Sequence, residues 1–272
     1  MAHRIIERYR QSLLIGACSG RLTADWRSSH GVAASSIDQP LTEQRHSEST
    51  PTGTTAELPT RAEAGELPTG WTRATIEELA EPGVAVSYGI VKPGPEVPGG
   101  VPYVRQQDIV DGTVLIDQLA HTSTELAYKH QRTALQKGDV LLCIIRNLRV
   151  AIVPPGLNGA NITQGMVRIR PGNRVLAEYL MYYLSAPYMQ RRMRAQYVGL
   201  AMPRINVRDA RELSVDLPPL DEQHEIVNRV RRLLLLADKL QDHVDSASKA
   251  TERSSQAALA KALRGDLVQA AG

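Results

Sequence analysis

The chain has 272 residues, 42% hydrophobic and 22% charged, with a net charge of +3 and a pI near 8.9. That is a globular composition, long enough for one large domain or two small ones and only mildly basic. There is no apolar run long enough to span a membrane. The start, Met1-Ala-His-Arg-Ile-Ile-Glu-Arg8, is too charged for a signal peptide, and Cys18 and Cys143 lie far apart without disulfide or zinc spacing, which fits a reducing cytosol.

The basic side consists of 26 Arg against 6 Lys. Arg suits bidentate contact with phosphate and guanine. A GC-rich genome, which favours Arg codons, accounts for the bias equally well. The seven His are scattered, with no HExxH or other metal-ligand spacing, so no cofactor or metal is expected.

In chain order, Ile5–Ala17 reads as a helix with an Arg-rich face, stopped at Ser19-Gly20 by a left-handed glycine cap. Residues 1–27 form this first region. Residues 28–66 are dominated by Ser, Thr, Glu, Pro, Gly and Ala, with no aromatic residue. Such a stretch cannot bury enough apolar surface to offset its ordering entropy, and a flexible linker is expected. Order resumes at Leu67-Pro-Thr-Gly-Trp71. Short β-like runs follow at Val84–Val86, Pro102–Val104, Thr113–Ile116, Asp139–Ile145, Val150–Val153 and Met166–Ile169. Leu176–Ser185 reads as a Tyr- and Leu-rich helix, with a second helical piece to about Gln196. Leu213, Val215 and Leu217 alternate with polar residues as a last strand. Residues 67–219 therefore make one mixed α/β domain of about 150 residues, large enough for its own core.

Leu217-Pro-Pro-Leu-Asp-Glu222-Gln223 then opens a long helix, 219–264. Prolines are tolerated in a first turn, and Asp221, Glu222 and Glu225 complement the positive end of the helix dipole. Ile226, Val230, Leu233, Ala237, Leu240 and Val244 recur at alternating steps of four and three, a heptad seam. About 44 residues at about 1.5 Å each would span roughly 66 Å, the reach of a spacer that pairs antiparallel with another helix, in cis or from another copy. Residues 265–272 form a tail. The fold class expected is α+β: one α/β domain followed by a coiled-coil-type helix.

An internal repeat brackets the domain. Glu7 to Leu22 aligns without gaps on Glu252 to Leu267, with seven of sixteen positions identical. The chain begins where a long helix should be ending, as in the second half of a two-part protein or a half-sized version of one.

Several motifs, in order, carry a resemblance. They are Leu67-Pro-x-Gly-Trp71, Val101-Pro-Tyr-Val-Arg105-x-x-Asp108-Ile109 and Leu135-x-x-Gly138-Asp139-Val-Leu141. Three more follow: Gly199-x-Ala-x-Pro-x-Ile205-Asn206, Leu217-Pro-Pro-Leu-x-Glu222-Gln223-x-x-Ile226-Val227 and Ala260-Lys-Ala-x-Arg264-Gly265-x-Leu267. Each alone is weak; together they span nearly the whole chain outside 28–66. The chain resembles the specificity (S) subunit of type I restriction–modification systems, in a half-length form or as a C-terminal half with one target recognition domain. The resemblance implies a non-catalytic, cytoplasmic, bacterial or archaeal DNA-reading subunit. Its recognition domain reads one half of a bipartite site in double-stranded DNA. Its conserved helices space two such domains and dock methyltransferase (M) subunits, with restriction (R) subunits joined through the complex. A full-length subunit has two recognition domains; this sequence has one, so either it forms a homodimer or pairs with another specificity half, or it is a fragment.

Candidate reading residues follow. The stretch Arg191 to Arg211 carries six Arg against Asp209 and Glu212, and Gly199 with Pro203 implies a loop that can enter a groove. Arg192, Arg194, Tyr197, Arg204 and Arg208 are its candidates; a solvated helix face plus an ordinary loop is the other reading. In Cys143-Ile-Ile-Arg146-Asn147-Leu-Arg149, between two strands, Arg can read guanine and Asn adenine; a hairpin turn with exposed charge explains the stretch equally. Tyr88-Gly89 and Arg105-Gln106-Gln107-Asp108 form a third candidate; that Asp108 only orients Arg105 or caps a turn is the other reading. Gln164 is a fourth. The tyrosines Tyr179, Tyr182, Tyr183 and Tyr188 have helical spacing and are expected in the core rather than stacked on bases. The seam residues Ile226, Val230, Leu233, Ala237, Leu240 and Val244 are expected at a helix-pairing interface.

Two other classes make their own demands on the sequence. A DNA methyltransferase needs an Asn/Asp-Pro-Pro-Tyr-type motif, but Pro218-Pro219 is flanked by Leu on both sides; a nuclease of the common kind needs an acidic residue two before a Lys, and none of the six Lys has one. A half-subunit that acts only as an interaction protein, without reading DNA, stays open.

Overall fold

In the computed structural model, which describes residues 2–30 and 67–263, the chain divides into two compact units: residues 14–227, and residues 1–13 together with 228–272. The linker expected over 28–66 lies outside the described residues, save that Ser28–His30 are helical. The expected tail at 265–272 lies outside them as well. Among the described residues no helix is long and apolar enough to cross a membrane, and no cluster of His, Cys, Asp and Glu could hold a metal ion.

Helix α1 (Ala2–Cys18) leads through a 3-10 turn (Arg21–Thr23) into α2 (Ala24–His30). Then come β1 (Thr72–Thr75), α3 (Ile76–Leu79), β2 (Ser87–Tyr88), β3 (Val101–Val104), β4 (Ile109–Val110), β5 (Thr113–Val114), β6 (Ala120–Thr122) and α4 (Thr124–Lys129). The domain continues with β7 (Val140–Cys143), β8 (Val150–Ile152), β9 (Asn161–Ile162), β10 (Met166–Ile169), α5 (Ala177–Ser185), α6 (Pro187–Ala195), α7 (Val207–Arg211) and β11 (Ser214–Leu217). Helix α8 (Leu220–Leu263) closes it, 44 residues without a break.

The central sheet has six strands in the order β2-β10-β7-β8-β5-β4; β6-β3-β9 form a second sheet, and β1 pairs antiparallel with β11. Strands β7 and β10 are buried along their whole length, β7 as its unbroken apolar run requires and β10 with Arg168 buried among apolar neighbours and donating to the Ala85 and Arg132 carbonyls. The strand expected at Val84–Val86 falls instead at Ser87–Tyr88, where Tyr88 pairs with Val167 of β10. The core gathers Val104, Ile109, Leu135, Leu141, Cys143, Ile162 and Met166. Tyr179, Tyr182 and Tyr183 of α5 are buried, and the Tyr179 hydroxyl donates to the Asp216 carbonyl at 2.6 Å, so these rings belong to the core.

The motifs behind the resemblance turn out to be joints of this domain. Glu222 is fully buried and accepts from the Thr23 hydroxyl at 2.6 Å, the Trp71 indole at 2.8 Å and the Arg27 guanidinium. Arg27 also donates to the Gly20 carbonyl at 2.6 Å and stacks over Trp71 at 5.8 Å. Gly20 has φ +72°, and a Cβ there would fall 2.7 Å from Pro68, so a side chain is excluded. Gln223, equally buried, receives the Leu176 amide at 2.8 Å and donates to the Arg174 and Pro218 carbonyls. Glu222 is thus more than a charge at a helix start: it satisfies three donors, two of them buried, and a buried carboxylate is tolerable only with such partners. Asp139 plays a similar part, holding Arg170 at 2.8 and 3.0 Å and capping the Gln136 amide.

In the smaller unit the seven-residue step from His3 to Arg10 on α1 matches the seven-residue step back from Asp245 to Asp238 on α8. Both contacts measure 2.7 Å, which fixes an antiparallel register. The contact with His3 holds the Asp245 carboxyl below its ordinary range. Ile6, Leu13, Val230 and Ala237 are buried. Leu233 and Val244 are half-buried, Leu240 is exposed, and Ile226 is buried in the larger unit. In this unit α1 and α8 run antiparallel, and Leu240 is exposed rather than buried.

Candidate nucleic-acid interface

The turn between β7 and β8 is built around a left-handed residue. Arg146 has φ +58°, one of two non-glycine residues with positive φ among those described. For an L-residue this conformation costs about 1–2 kcal/mol, so something must hold it. The Arg146 amide donates to the Pro203 carbonyl at 2.8 Å, and the Tyr197 hydroxyl donates to the Arg146 carbonyl at 2.8 Å. Burial pushes the Tyr197 phenol above its ordinary value, which keeps it a donor. Beneath, Gln106 donates from one amide to the Ile145 carbonyl at 2.7 Å and the Gly165 carbonyl at 3.0 Å.

The loop after α6 meets this turn. Val198 and Arg204 exchange backbone hydrogen bonds of 2.8 and 3.0 Å, Arg204 bridges to Ile145, and the Ile205 amide reaches the Ile144 carbonyl at 2.9 Å. Two segments far apart in sequence thus present Arg146, Asn147 and Arg204 side by side, all exposed. Among the described residues none of these three side chains makes a hydrogen bond or ion pair. The strained backbone of Arg146 is thus held by hydrogen bonds between the two segments.

The other candidates separate by what they already hold. Arg194, exposed, makes only a 3.3 Å contact with Gln190. Arg192 is half-buried, with the Ser214 carbonyl at 3.5 Å. Arg208 is ion-paired with Glu212 at 3.0 Å, which raises its pKa. Arg105 is bidentate to buried Asp108 at 2.9 and 3.0 Å and donates to the Gln118 carbonyl, so the reading of Asp108 as its orienting partner holds for the geometry. Arg149 donates to the Gln106 and Ile109 carbonyls at 3.2 and 2.9 Å, pinning the turn from below. Tyr88 is exposed on β2, separated from β7 by β10. Gln164 joins that edge through its amide, which donates to the Ile90 carbonyl at 2.9 Å.

Two features were not visible in the sequence. Gln106 belongs to the third candidate stretch, but no local pattern marks its role of bracing the turn. Val198, Leu200 and Met202 stand exposed on the loop beside Arg204; their composition was visible, their exposure was not.

Comparison with known proteins agrees with this architecture. The chain is 29% identical over 266 residues to the type I restriction enzyme EcoBI specificity subunit of Escherichia coli, covering 97% of this chain and 51% of that protein. To the EcoKI specificity subunit of Escherichia coli strain K12 it is 27% identical, covering 97% and 50%. It spans about half the length of these curated relatives. The HsdS subunit from Thermoanaerobacter tengcongensis shares the fold at TM-score 0.54 and 22% identity, over 74% of this chain and 47% of that one. A chain from a type I R-M system, solved in a study of its complex assembly and conformational transition, gives 0.57 at 21% identity, over 74% and 48%. Residues 68–243, most of the chain, match the type I restriction modification DNA specificity domain, and the chain belongs to that family.

Proposed function

We propose that the chain is a non-catalytic, sequence-reading DNA-binding subunit of a type I restriction–modification complex. Residues 67–219 are the recognition domain, and the helix over 219–264 is the spacer. The observation that carries the reading is the convergence of Arg146, Asn147 and Arg204, uncommitted and exposed, on a turn held in a strained conformation by Tyr197 and Pro203. Arg and Asn are the side chains that make bidentate contacts to guanine and adenine in a major groove. Arg194, Arg192, Arg208 and Tyr88 flank this centre and contact backbone phosphates, which position without specifying. Arg105 and Arg149 act through the turn they hold.

One recognition domain reads one half of a bipartite site. The second half is read by another copy or another specificity half, and methyltransferase subunits dock on the helices. Exposed Leu235, Leu236 and Leu240 along α8 support such docking, since apolar side chains clustered on a helix surface mark contact sites. The test is equilibrium binding of duplex DNA across a salt series. Arg146→Ala and Arg204→Ala are each expected to weaken binding by about 1–3 kcal/mol if they read bases, or to lower the salt slope by about 1 if they contact phosphate. Unchanged affinity and slope in both variants would move the reading surface elsewhere.

A further inference from the structure

The loop that carries Arg204 also carries three large apolar side chains in water. Leu200 is fully exposed at its tip (105%), with Val198 at 40% and Met202 at 47%. A single exposed Leu is ordinary; three within five residues on one projecting loop are not. Nor is the loop slack. Its neck is closed by the Val198–Arg204 pair of hydrogen bonds, and it is tied to the Arg146 turn through Pro203 and Tyr197. Gly199 has φ +86°, and a Cβ there would lie 3.1 Å from the Met202 carbonyl oxygen, so the tip is a tight fold of backbone. Around it the charge has one sign. From Gln190 to Arg208 the chain has five Arg and no Asp or Glu. A rigid apolar tip with uncommitted guanidinium groups at its base matches a stacked, anionic polymer. Cations hold the phosphates while the tip enters where base pairs can be parted.

We propose that Leu200, backed by Met202, is a wedge that inserts between base pairs of the bound duplex and unstacks one step. The inference rests on the DNA-binding reading above. The wedge lets the recognition domain favour sequences that open easily, a selectivity separate from the base contacts of Arg146, Asn147 and Arg204.

The test compares binding of the full chain to an intact duplex and to the same duplex with a single abasic site at its centre, where part of the unstacking cost is already met. Wild type is expected to prefer the abasic duplex by about tenfold or more. Leu200→Ser combined with Met202→Ser is expected to abolish that preference while keeping the salt slope on intact DNA; its unfolding midpoint, measured alongside, should match wild type because both side chains are exposed. Equal wild-type affinity for the two duplexes would overturn the wedge. So would a preference that survives in the double variant, since duplex flexibility alone would then explain it. No binding of either duplex by wild type would instead remove the DNA-binding reading on which the wedge rests.

Discussion

Arg146→Gly should make the protein more stable and worse at binding DNA. The left-handed backbone of Arg146, at φ +58°, costs an L-residue about 1–2 kcal/mol that glycine does not pay. Glycine returns roughly 0.5–1 kcal/mol of that through the freedom it gains in the unfolded chain. The Arg146 side chain makes no hydrogen bond or ion pair among the described residues, so its removal breaks no polar contact in the fold. The net is a stabilisation of about 0.5–1 kcal/mol, or a few degrees at most in Tm for a unit of this size. Arg146→Ala keeps the strain and loses the same guanidinium, so it should leave stability nearly unchanged. Urea unfolding of the three proteins gives the comparison, with the midpoint shifting at constant slope. Duplex binding by the same samples should fall equally in both variants. The reasoning is refuted if glycine destabilises, or if both variants bind DNA as tightly as wild type.

Other outcomes follow from the same contacts. Glu222→Ala should cost about 3–5 kcal/mol in urea unfolding, because it leaves Arg27, Thr23 and Trp71 without their shared buried acceptor; Glu222→Gln should cost less. Stability should fall as pH rises above about 8.5, and further above about 10, which are the ordinary ranges of thiol and phenol. Burial pushes the Cys143 thiol up to about 12 and raises Tyr179 and Tyr183 well above their usual value, so the folded chain keeps protons that the unfolded chain releases; a urea midpoint unchanged between pH 7.5 and pH 10.5 would contradict this. Ala237→Asp should break the pairing of α1 with α8, read as loss of protection of α1 amides in hydrogen exchange, because Ala237 is buried there. Leu240→Asp should leave that protection intact and disturb only contacts with another protein, since Leu240 is 57% exposed.

Long periodic signals were legible in the sequence, and long-range joints were not. Helix α8 could be placed to within a residue or so because an unbroken heptad seam admits few alternatives. Strands β4, β6 and β9 have only two or three residues each, too few to show a period, and their pairing partners define them. Glu222 read locally as a charge suited to a helix start; its partners Thr23 and Trp71 lie 199 and 151 residues away and leave no local trace. Most of the motifs that marked the family are scaffold for the same reason. Trp71, Asp108, Asp139, Glu222 and Gln223 hold the domain together. Among the arginines, residue type alone could not separate Arg105 and Arg149, whose guanidinium groups are committed to carbonyls or a carboxylate, from Arg146 and Arg204, whose groups are not. The meeting of Arg146 with the Tyr197–Arg204 loop depends on a cross-chain pairing that only the folded domain displays.

The most direct test of the central claim is selection of duplexes from a random DNA library by the purified chain, set against the Arg146→Ala, Arg204→Ala double variant. Wild type is expected to enrich one short contiguous motif, and the double variant to lose it while its fold, followed by urea unfolding, is retained. Enrichment of the same motif by both proteins, or of none by wild type despite binding, would contradict it.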